Sequence, residues 1–149
     1  MNLFSSFEIS GSGLSAQRLR MDTVANNIAN VNTTRTAEGG PYRRLRVVFE
    51  PRQSEPLFLL PLEPKERAMA QLSQGVRVTG VSPDPAGAKM VYDPGHPDAD
   101  AKGYVAMPNI NIVNEMVDMI SASRAYEANV TAINDAKSMA LKALEIGKA

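Results

Sequence analysis

The stretch from Asn109 to Ile146 constrains the fold of this chain more than any other part of its sequence. It contains no Gly or Pro, and its apolar residues recur at alternating steps of three and four, as in a helix that packs lengthwise against another helix. Pro108 before it and Gly147 after it suit a helix start and a helix end. At about 1.5 Å per residue this helix would measure roughly 57 Å, which is too long for the core of a 149-residue domain. The pattern therefore predicts a helix that needs partner helices.

The heptad spacing predicts which side of the C-terminal helix makes those contacts. The predicted seam consists of Met116, Met119, Ser123, Tyr126, Val130, Ile133, Lys137, Ala140 and Leu144. Ile120 and Asn129, which lie beside the seam, are included among the predicted contact residues. Methionines on a seam suit packing against non-equivalent neighbours because their side chains adapt in shape, although ordinary core methionines would produce the same pattern.

The first 34 residues predict a second helix with a similar seam. Phe7, Leu14, Met21 and Ile28 lie seven residues apart, which places them on one side of a helix. The weak point is residues 11–13, Gly-Ser-Gly, since each Gly disfavours a helix by about 1 kcal/mol relative to Ala. The sequence leaves open whether the helix is continuous there.

An asparagine cluster, formed by Asn26, Asn27 and Asn30, marks the end of this first helix. Two interpretations stay open from the spacing alone. The side chains can cap the helix end in water. Alternatively, they can form hydrogen bonds to neighbouring backbones beside Ile28 and fix the register of the packed helices, as buried Asn does in coiled coils.

The middle segment, residues 35–108, predicts short strands joined by turns. Alternating apolar and polar residues indicate strands over residues 42–50, 76–81 and 89–92. In the first strand, the residues that share one face are Leu45, Val47 and Phe49. The arginines of the opposite face, Arg44 and Arg46, are expected to be solvated or salt-bridged.

The predicted fold is mainly α with a small β-rich insert. Its domains are an N-terminal helix (1–34), a middle segment of short antiparallel strands (35–108) and a C-terminal helix (109–149), and the two long helices pair as a coiled coil to form one helical domain. Within the middle segment, residues 52–74 are rich in proline and predict a loop-like insertion, in which a short helix over residues 65–72 is an alternative.

The composition excludes several classes of function. Lys plus Arg and Asp plus Glu number 16 each, so no net charge attracts nucleic acid or an anionic membrane. Cysteine is absent, which excludes thiol nucleophiles and zinc–thiolate sites. No apolar run is long enough for a membrane span, and the first residues lack the basic and apolar regions of a cleaved signal peptide. Residues 11–16 fit the pattern G-x-G-x-x-A, but the further strand, second repeat and acidic residue of a dinucleotide site are missing, so we expect no cofactor and no small-molecule substrate.

The turn around His96 is the stretch that most suggests a metal site. Asp93, Asp98 and Asp100 lie near this single histidine. A zinc site usually needs two more nitrogen or sulfur ligands, and the prolines of this segment favour a rigid turn instead. Without a nucleophile motif we expect no enzyme. A small metal-binding protein or enzyme that uses this turn, and a soluble coiled-coil adaptor, remain the alternatives.

Several separate motifs resemble those of the bacterial flagellar rod and hook proteins. The N-terminal signature is carried by SGLSA at residues 12–16 and NNIAN at residues 26–30. Further segments narrow the resemblance to the C-type proximal rod proteins of the basal body: PYRR (41–44), VVFE (47–50), VYDPGHPDAD (91–100), GYV (103–105), PN (108–109), EMV (115–117), ISASRAYEAN (120–129) and AKSM (136–139). The resemblance covers nearly the whole chain and departs from the family pattern over residues 52–74.

The resemblance implies a structural subunit of the flagellar basal-body rod, which polymerises helically through its terminal helices into the drive shaft that transmits motor torque to the hook and filament. It implies contacts with copies of the chain and with other rod proteins, and it adds the motor-ring protein as a further candidate partner. It also implies export through the flagellar type III apparatus, without a cleaved signal peptide, to a rod that spans the periplasm. It favours the register-fixing interpretation of the asparagines.

These implications identify the seams as subunit interfaces. The predicted interface residues are Phe7, Leu14, Met21, Asn26, Asn27, Ile28, Asn30, Met116, Met119, Ile120, Tyr126, Asn129, Val130, Ile133 and Leu144. Because the small insert cannot cover two long apolar seams, we expect the termini of the free monomer to be poorly ordered and to fold on assembly.

Overall fold

The structure is a computed structural model that describes residues 3–52 and 75–147. In chain order its elements are α1 (Leu3–Ala29), β1 (Leu45–Pro51), β2 (Val76–Pro83), β3 (Lys89–Tyr92), β4 (Tyr104–Met107) and α2 (Ile112–Ile146). Two long terminal helices therefore precede and follow, in chain order, a middle segment of short strands, which confirms the predicted fold class. The predicted insertion and its alternative short helix lie, apart from Arg52, outside the described residues.

The chain divides into two compact units, each of which draws on both helices. Unit 1 consists of Met1–Arg18, Phe49–Thr79 and Ser123–Ala149, and unit 2 consists of Leu19–Val48 and Gly80–Ala122. Each unit combines helix segments from both ends of the chain with part of the middle segment. The domain boundaries expected from the sequence stay a prediction. In the described part of the chain, no helix combines the length and the apolar composition that a membrane span requires.

Helix α1 is continuous through its Gly-Ser-Gly segment, which answers the question that the sequence left open. At Gly13, an added Cβ would lie 3.0 Å from the side-chain amide of Asn129, so the missing side chain permits close approach of an α2 residue in unit 1. The Ser12 and Ser15 hydroxyls donate to the carbonyls of Ile9 and Gly11, at 2.7 and 3.1 Å. Gly13 therefore serves a helix contact, and neither glycine ends the helix.

Helix α2 begins later than the proline signal predicts. Asn111 is its N-cap: the side-chain oxygen accepts from the backbone N–H groups of Val113 and Asn114, at 3.0 and 3.3 Å. Pro108 lies in the connection before this cap, and it is buried. The predicted C-terminal end is confirmed, since α2 ends at Ile146 and the N–H of Gly147 donates to the carbonyl of Ala143.

The strands form two separate two-stranded sheets, β1 with β2 and β3 with β4. Strand β1 shows the predicted alternation, with Leu45, Val47 and Phe49 half-buried and the residues between them exposed. Strands β3 and β4 are antiparallel, with Tyr92 opposite Tyr104. Strand β4 was not predicted from the sequence, and its Val105 is only 1% exposed.

Candidate functional site

The buried face of α2 is formed by small and polar residues rather than by the large apolar ones. Among the described residues, Glu115, Ala122 and Ala136 are buried and Asn129 is half-buried, at spacings of seven. Four further residues of this inward face are half-buried, and all four belong to the seam predicted from the sequence: Met119, Tyr126, Ile133 and Ala140. Half of the inward seam thus matches the predicted positions. The other half, residues 115, 122, 129 and 136, lies one residue before the predicted positions 116, 123, 130 and 137.

The predicted interface residues occupy three kinds of position. Asn27 is buried, and the half-buried residues are Phe7, Leu14, Met21, Ile28, Asn30, Met119, Tyr126, Asn129, Val130 and Ile133. The exposed ones are Asn26, Met116, Ile120 and Leu144. On α1, most of the buried positions also hold small or polar side chains, Ser10, Ala16, Thr23 and Asn27, and Val24 is the apolar residue buried beside them.

Asn27 forms the centre of a polar network in unit 2. Its amide nitrogen donates to the carbonyl of Leu45 at 2.9 Å, and its amide oxygen accepts from the N–H of Leu45 at 2.9 Å, so the side chain pairs with β1 as a neighbouring strand would. The same amide nitrogen donates to Glu115 at 3.0 Å, and the Tyr42 hydroxyl donates to the amide oxygen at 3.1 Å. Because Asn27 is 1% exposed, it adopts the buried one of the two arrangements that the sequence left open. Its role in fixing the register of packed helices stays a prediction. By contrast, Asn26 and Asn30 bond to each other near the helix end.

Arg44 is the cation that satisfies the buried carboxylate of Glu115. Its Nε donates to Glu115 Oε1 at 2.5 Å, and the Glu115 side chain is 1% exposed. The other guanidinium nitrogens reach Asp84 at 3.5 Å and Asp118 at 3.3 Å. Asp118 in turn accepts from Arg20 of α1 at 2.7 Å. The network therefore ties α1, the entrance of β1 and α2 together within unit 2, where a buried charge without partners would cost several kcal/mol.

The titration behaviour of this network follows from burial and from these charges. Burial raises the pKa of the Tyr42 hydroxyl, and the charge of Glu115 raises it further. Burial alone would lower the pKa of Arg44, but its hydrogen bond to Glu115 and its acidic neighbours raise that pKa above the ordinary value. The backbone N–H of Ala86 lowers the pKa of Asp84, with Arg46 and Arg44 acting in the same direction.

Sequence reasoning anticipated only part of this network. It expected Arg44 and Arg46 to be solvated or salt-bridged, and both are paired with acids. It missed Glu115 because a carboxylate is not expected at an inward heptad position. The signal that could have found Glu115 is the spacing of seven that it shares with Ala122, Asn129 and Ala136. A search for large apolar residues does not detect this spacing, because all four residues are small or polar.

The outward side of the first turns of α2 carries an exposed apolar surface. The residues that form it are Val113, Met116, Val117 and Ile120, between 49% and 66% exposed. Their positions i, i+3, i+4 and i+7 place them on one helix face, which we call the α2 stripe. The inward side of the same turns presents Glu115, Asp118, Met119 and Ala122. This segment thus exposes most of its large apolar side chains.

The turn around His96 uses its polar groups for hydrogen bonds within the turn and to Thr34. His96 Nδ1 accepts from the N–H of Asp98 at 3.1 Å, and Asp98 accepts from the Thr34 hydroxyl at 2.8 Å. Asp93 accepts from the N–H of Gly95 at 3.2 Å. Over residues 3–52 and 75–147, the structure contains no group of three or more His, Cys, Asp or Glu side chains placed to hold a metal ion.

Two family models match the helical ends of the chain. One, described as "Flagella basal body rod protein", matches residues 7–35, and the other, "Flagellar basal body rod FlgEFG protein C-terminal", matches residues 101–146. Together with the long terminal helices, these matches define a protein of the flagellar basal-body rod class.

Full-length relatives give the family within that class. The chain is 54% identical to the flagellar basal-body rod protein FlgC of Borreliella burgdorferi, over 98% of this chain and 98% of that one. It is 44% identical to FlgC of Bacillus subtilis and 42% identical to FlgC of Salmonella typhimurium, in each case over 99% of this chain and all of the relative. The chain belongs to the FlgC family of flagellar basal-body rod proteins. It is a structural rod subunit and not an enzyme.

Proposed function

We propose that this rod subunit polymerises through the α2 stripe, with copies of itself and with other rod proteins as neighbours. The observation that carries the proposal is the reversed polarity of α2 in unit 2, where Val117 is 61% exposed while Glu115 is 1% exposed. A helix that serves only its own core places its large apolar residues inward. A contiguous exposed apolar surface is instead typical of a protein–protein contact.

The division of labour between the two faces supports this mechanism. Hydrogen bonds and ion pairs of the Asn27 network fix the inward face, so the subunit does not need the α2 stripe for its own folding. The stripe is thus available for neighbours, and fully burying a Val, Ile or Met side chain contributes about 1.5–3 kcal/mol. Torque would then be distributed over many such helix contacts along the shaft.

Paired substitutions on one helix segment test the proposal. Val117→Asp with Ile120→Asp places two charges in the stripe, while Asn114→Asp with Ser121→Asp places the same charges on exposed positions beside it. Each variant is expressed in a strain that lacks its own copy, and swimming and the basal bodies are examined, the latter by electron microscopy.

We expect the stripe variant to leave rings without a completed rod and the control variant to support swimming. Circular dichroism of both purified variants checks that the helices are retained, because charges at exposed sites should change unfolding free energy by only about 0.5 kcal/mol. Normal flagella with the stripe variant would refute the proposal. A soluble adaptor, the rival function, would be absent from purified basal bodies.

The other predicted interface residues enter the proposal as secondary contacts. Asn27 is the exception, because its contacts lie within its own chain. The half-buried and exposed members, including Leu14, Met21 and Leu144, retain surface that a neighbouring helix can cover.

We further propose that the chain reaches its site through the flagellar type III export apparatus and that the rod spans the periplasm, with the motor-ring protein as a neighbour. Membership of the rod family supports this proposal. Cell fractionation of a strain without a working export apparatus tests it. The chain should stay in the cytoplasm there, and its appearance in the periplasm would contradict this route.

A further inference from the structure

Unit 2 carries a second exposed apolar surface, on the β3–β4 hairpin. The strand register places Met90 opposite Ala106 and Tyr92 opposite Tyr104, so these side chains share one face of the two-stranded sheet. Met90 is 56%, Tyr92 65% and Tyr104 42% exposed, whereas Val105 on the opposite face is 1% exposed. We call Met90, Tyr92 and Tyr104 the hairpin patch.

The hairpin patch is held in a fixed arrangement. The rings of Tyr92 and Tyr104 meet edge to face, with centroids 5.3 Å apart and planes at 65°. Gly103, at φ +78°, leaves room for this pair, since a Cβ there would lie 3.0 Å from the Tyr92 ring. The N–H of Asp100 donates to the Tyr104 carbonyl at 2.9 Å, and the N–H of Tyr104 donates to the Asp100 carboxylate at 3.1 Å. A preorganised aromatic surface loses little conformational entropy when it binds.

Two different apolar surfaces on one unit are what an open polymer requires. A contact between identical surfaces closes into a dimer, whereas a contact between different surfaces can continue from copy to copy as a helical array. The α2 stripe and the hairpin patch are such a pair. All of their side chains are uncharged, so bringing the two surfaces together buries no formal charge.

We propose that the hairpin patch of one copy packs against the α2 stripe of a second copy, an inference that rests on the proposed function. The side chains suit each other: Tyr rings pack against Val and Ile, and Met116 can adapt to the edge of a ring. The contact identifies the neighbour of the α2 stripe as another copy of this chain.

Cysteine pairs test the contact directly, because the natural chain contains no cysteine. Val117→Cys is placed on one tagged copy and Tyr92→Cys on a second copy with a different tag, and both are expressed together in a strain without its own copy. A mixed disulfide can then form only between copies, and only where the Cα atoms approach to about 4.4–6.8 Å. The matched control replaces Val117→Cys by Asn114→Cys, an exposed position on the same helix segment.

We expect oxidised basal bodies to contain on the order of tenfold more mixed disulfide from the stripe and patch pair than from the control pair, because a held contact raises the effective concentration of the thiols. A second pair, Val113→Cys with Met90→Cys, leaves both tyrosines in place and should respond in the same way. Swimming of each single-cysteine strain shows that the copies are incorporated.

Mixed disulfide at the control level for both pairs would overturn the inference, as would preferential disulfides between two copies of Val117→Cys. These failures are distinct from failure of the proposed function. If the charged stripe variant blocks the rod while the cysteines do not pair, the α2 stripe serves assembly through a different neighbour. If the cysteines pair while the charged variant still builds rods, the contact exists but assembly does not depend on it.

Discussion

The side-chain amide of Asn27 forms hydrogen bonds with both a strand and a helix. Its two hydrogen bonds to the backbone of Leu45 extend the pairing of β1 onto α1, and its bond to Glu115 extends it onto α2. Such an amide adds little apolar area, but removal leaves several buried polar groups without partners. Asn27 therefore contributes more to the free energy of unfolding than its small apolar area would suggest.

Asn27→Ala should lower the free energy of unfolding by about 2–4 kcal/mol, because the N–H of Leu45 and the carboxylate of Glu115 each lose a partner. Urea unfolding of the purified chain measures the loss. The matched control is Asn26→Ala, at an exposed neighbouring position, which should cost at most about 1 kcal/mol. Equal stability of the two variants would show that the amide bonds contribute little.

Asp84 gives the network an acid-sensitive component. Its pKa is lowered in the folded chain by the N–H of Ala86 and by Arg46 and Arg44, so folding favours the charged carboxylate. This contribution is present above the unfolded pKa of about 4 and is lost as the pH falls through the lower folded pKa. The stability of the natural chain should therefore decline in this acid range.

Asp84→Asn should lower the melting temperature near neutral pH, and the difference from the natural chain should shrink as the pH falls from about 5 to 2. Melting curves recorded across this range measure the effect, with Asp22→Asn, at an exposed position on α1, as the control. Curves that stay parallel down to the lowest pH would contradict the role of the Asp84 charge.

Periodicity predicted both long helices and part of the inward face of α2, namely Met119, Tyr126, Ile133 and Ala140. The seven-residue spacing found two long helices, and alternation found Leu45, Val47 and Phe49 as the inner side of β1. The other half of the inward face, Glu115, Ala122, Asn129 and Ala136, lies one residue before predicted positions, because a pattern of large apolar residues cannot indicate a seam made of Ala, Asn and Glu. Tertiary hydrogen bonds decide such a seam, and they become visible only when both helices and β1 are brought together.

The start of α2 depends on Asn111 in a way that proline statistics did not indicate. Asn111→Ala should cost about 0.5–2 kcal/mol and fray the first turn, because the N–H groups of Val113 and Asn114 lose their acceptor. Hydrogen exchange at these two amides measures the fraying, with Asn111→Asp as a variant that restores protection. Unchanged exchange in the alanine variant would exclude a capping role.

For the whole molecule, the proposed assembly through the α2 stripe would separate the interactions that fold the subunit from those that assemble it. Polar groups and small residues join the elements within each unit, and large apolar residues such as Val117 and Ile120 stay on the surface. A rod protein of this design can remain a monomer before assembly and form its apolar contacts only beside its neighbours. The expected disorder of the free termini stays a prediction that hydrogen exchange on the monomer can test.

Burial of the α2 stripe in the rod can be tested by the reactivity of Val117→Cys towards a maleimide, in the purified monomer and in isolated basal bodies. Because the chain has no natural cysteine, the label reports this position alone. We expect rapid labelling in the monomer and labelling slower by on the order of tenfold in the rod, where neighbours exclude the reagent. Asn114→Cys, beside the α2 stripe, should change much less. Equal labelling of Val117→Cys in both states, or equal protection at both positions, would contradict a rod assembled through the α2 stripe.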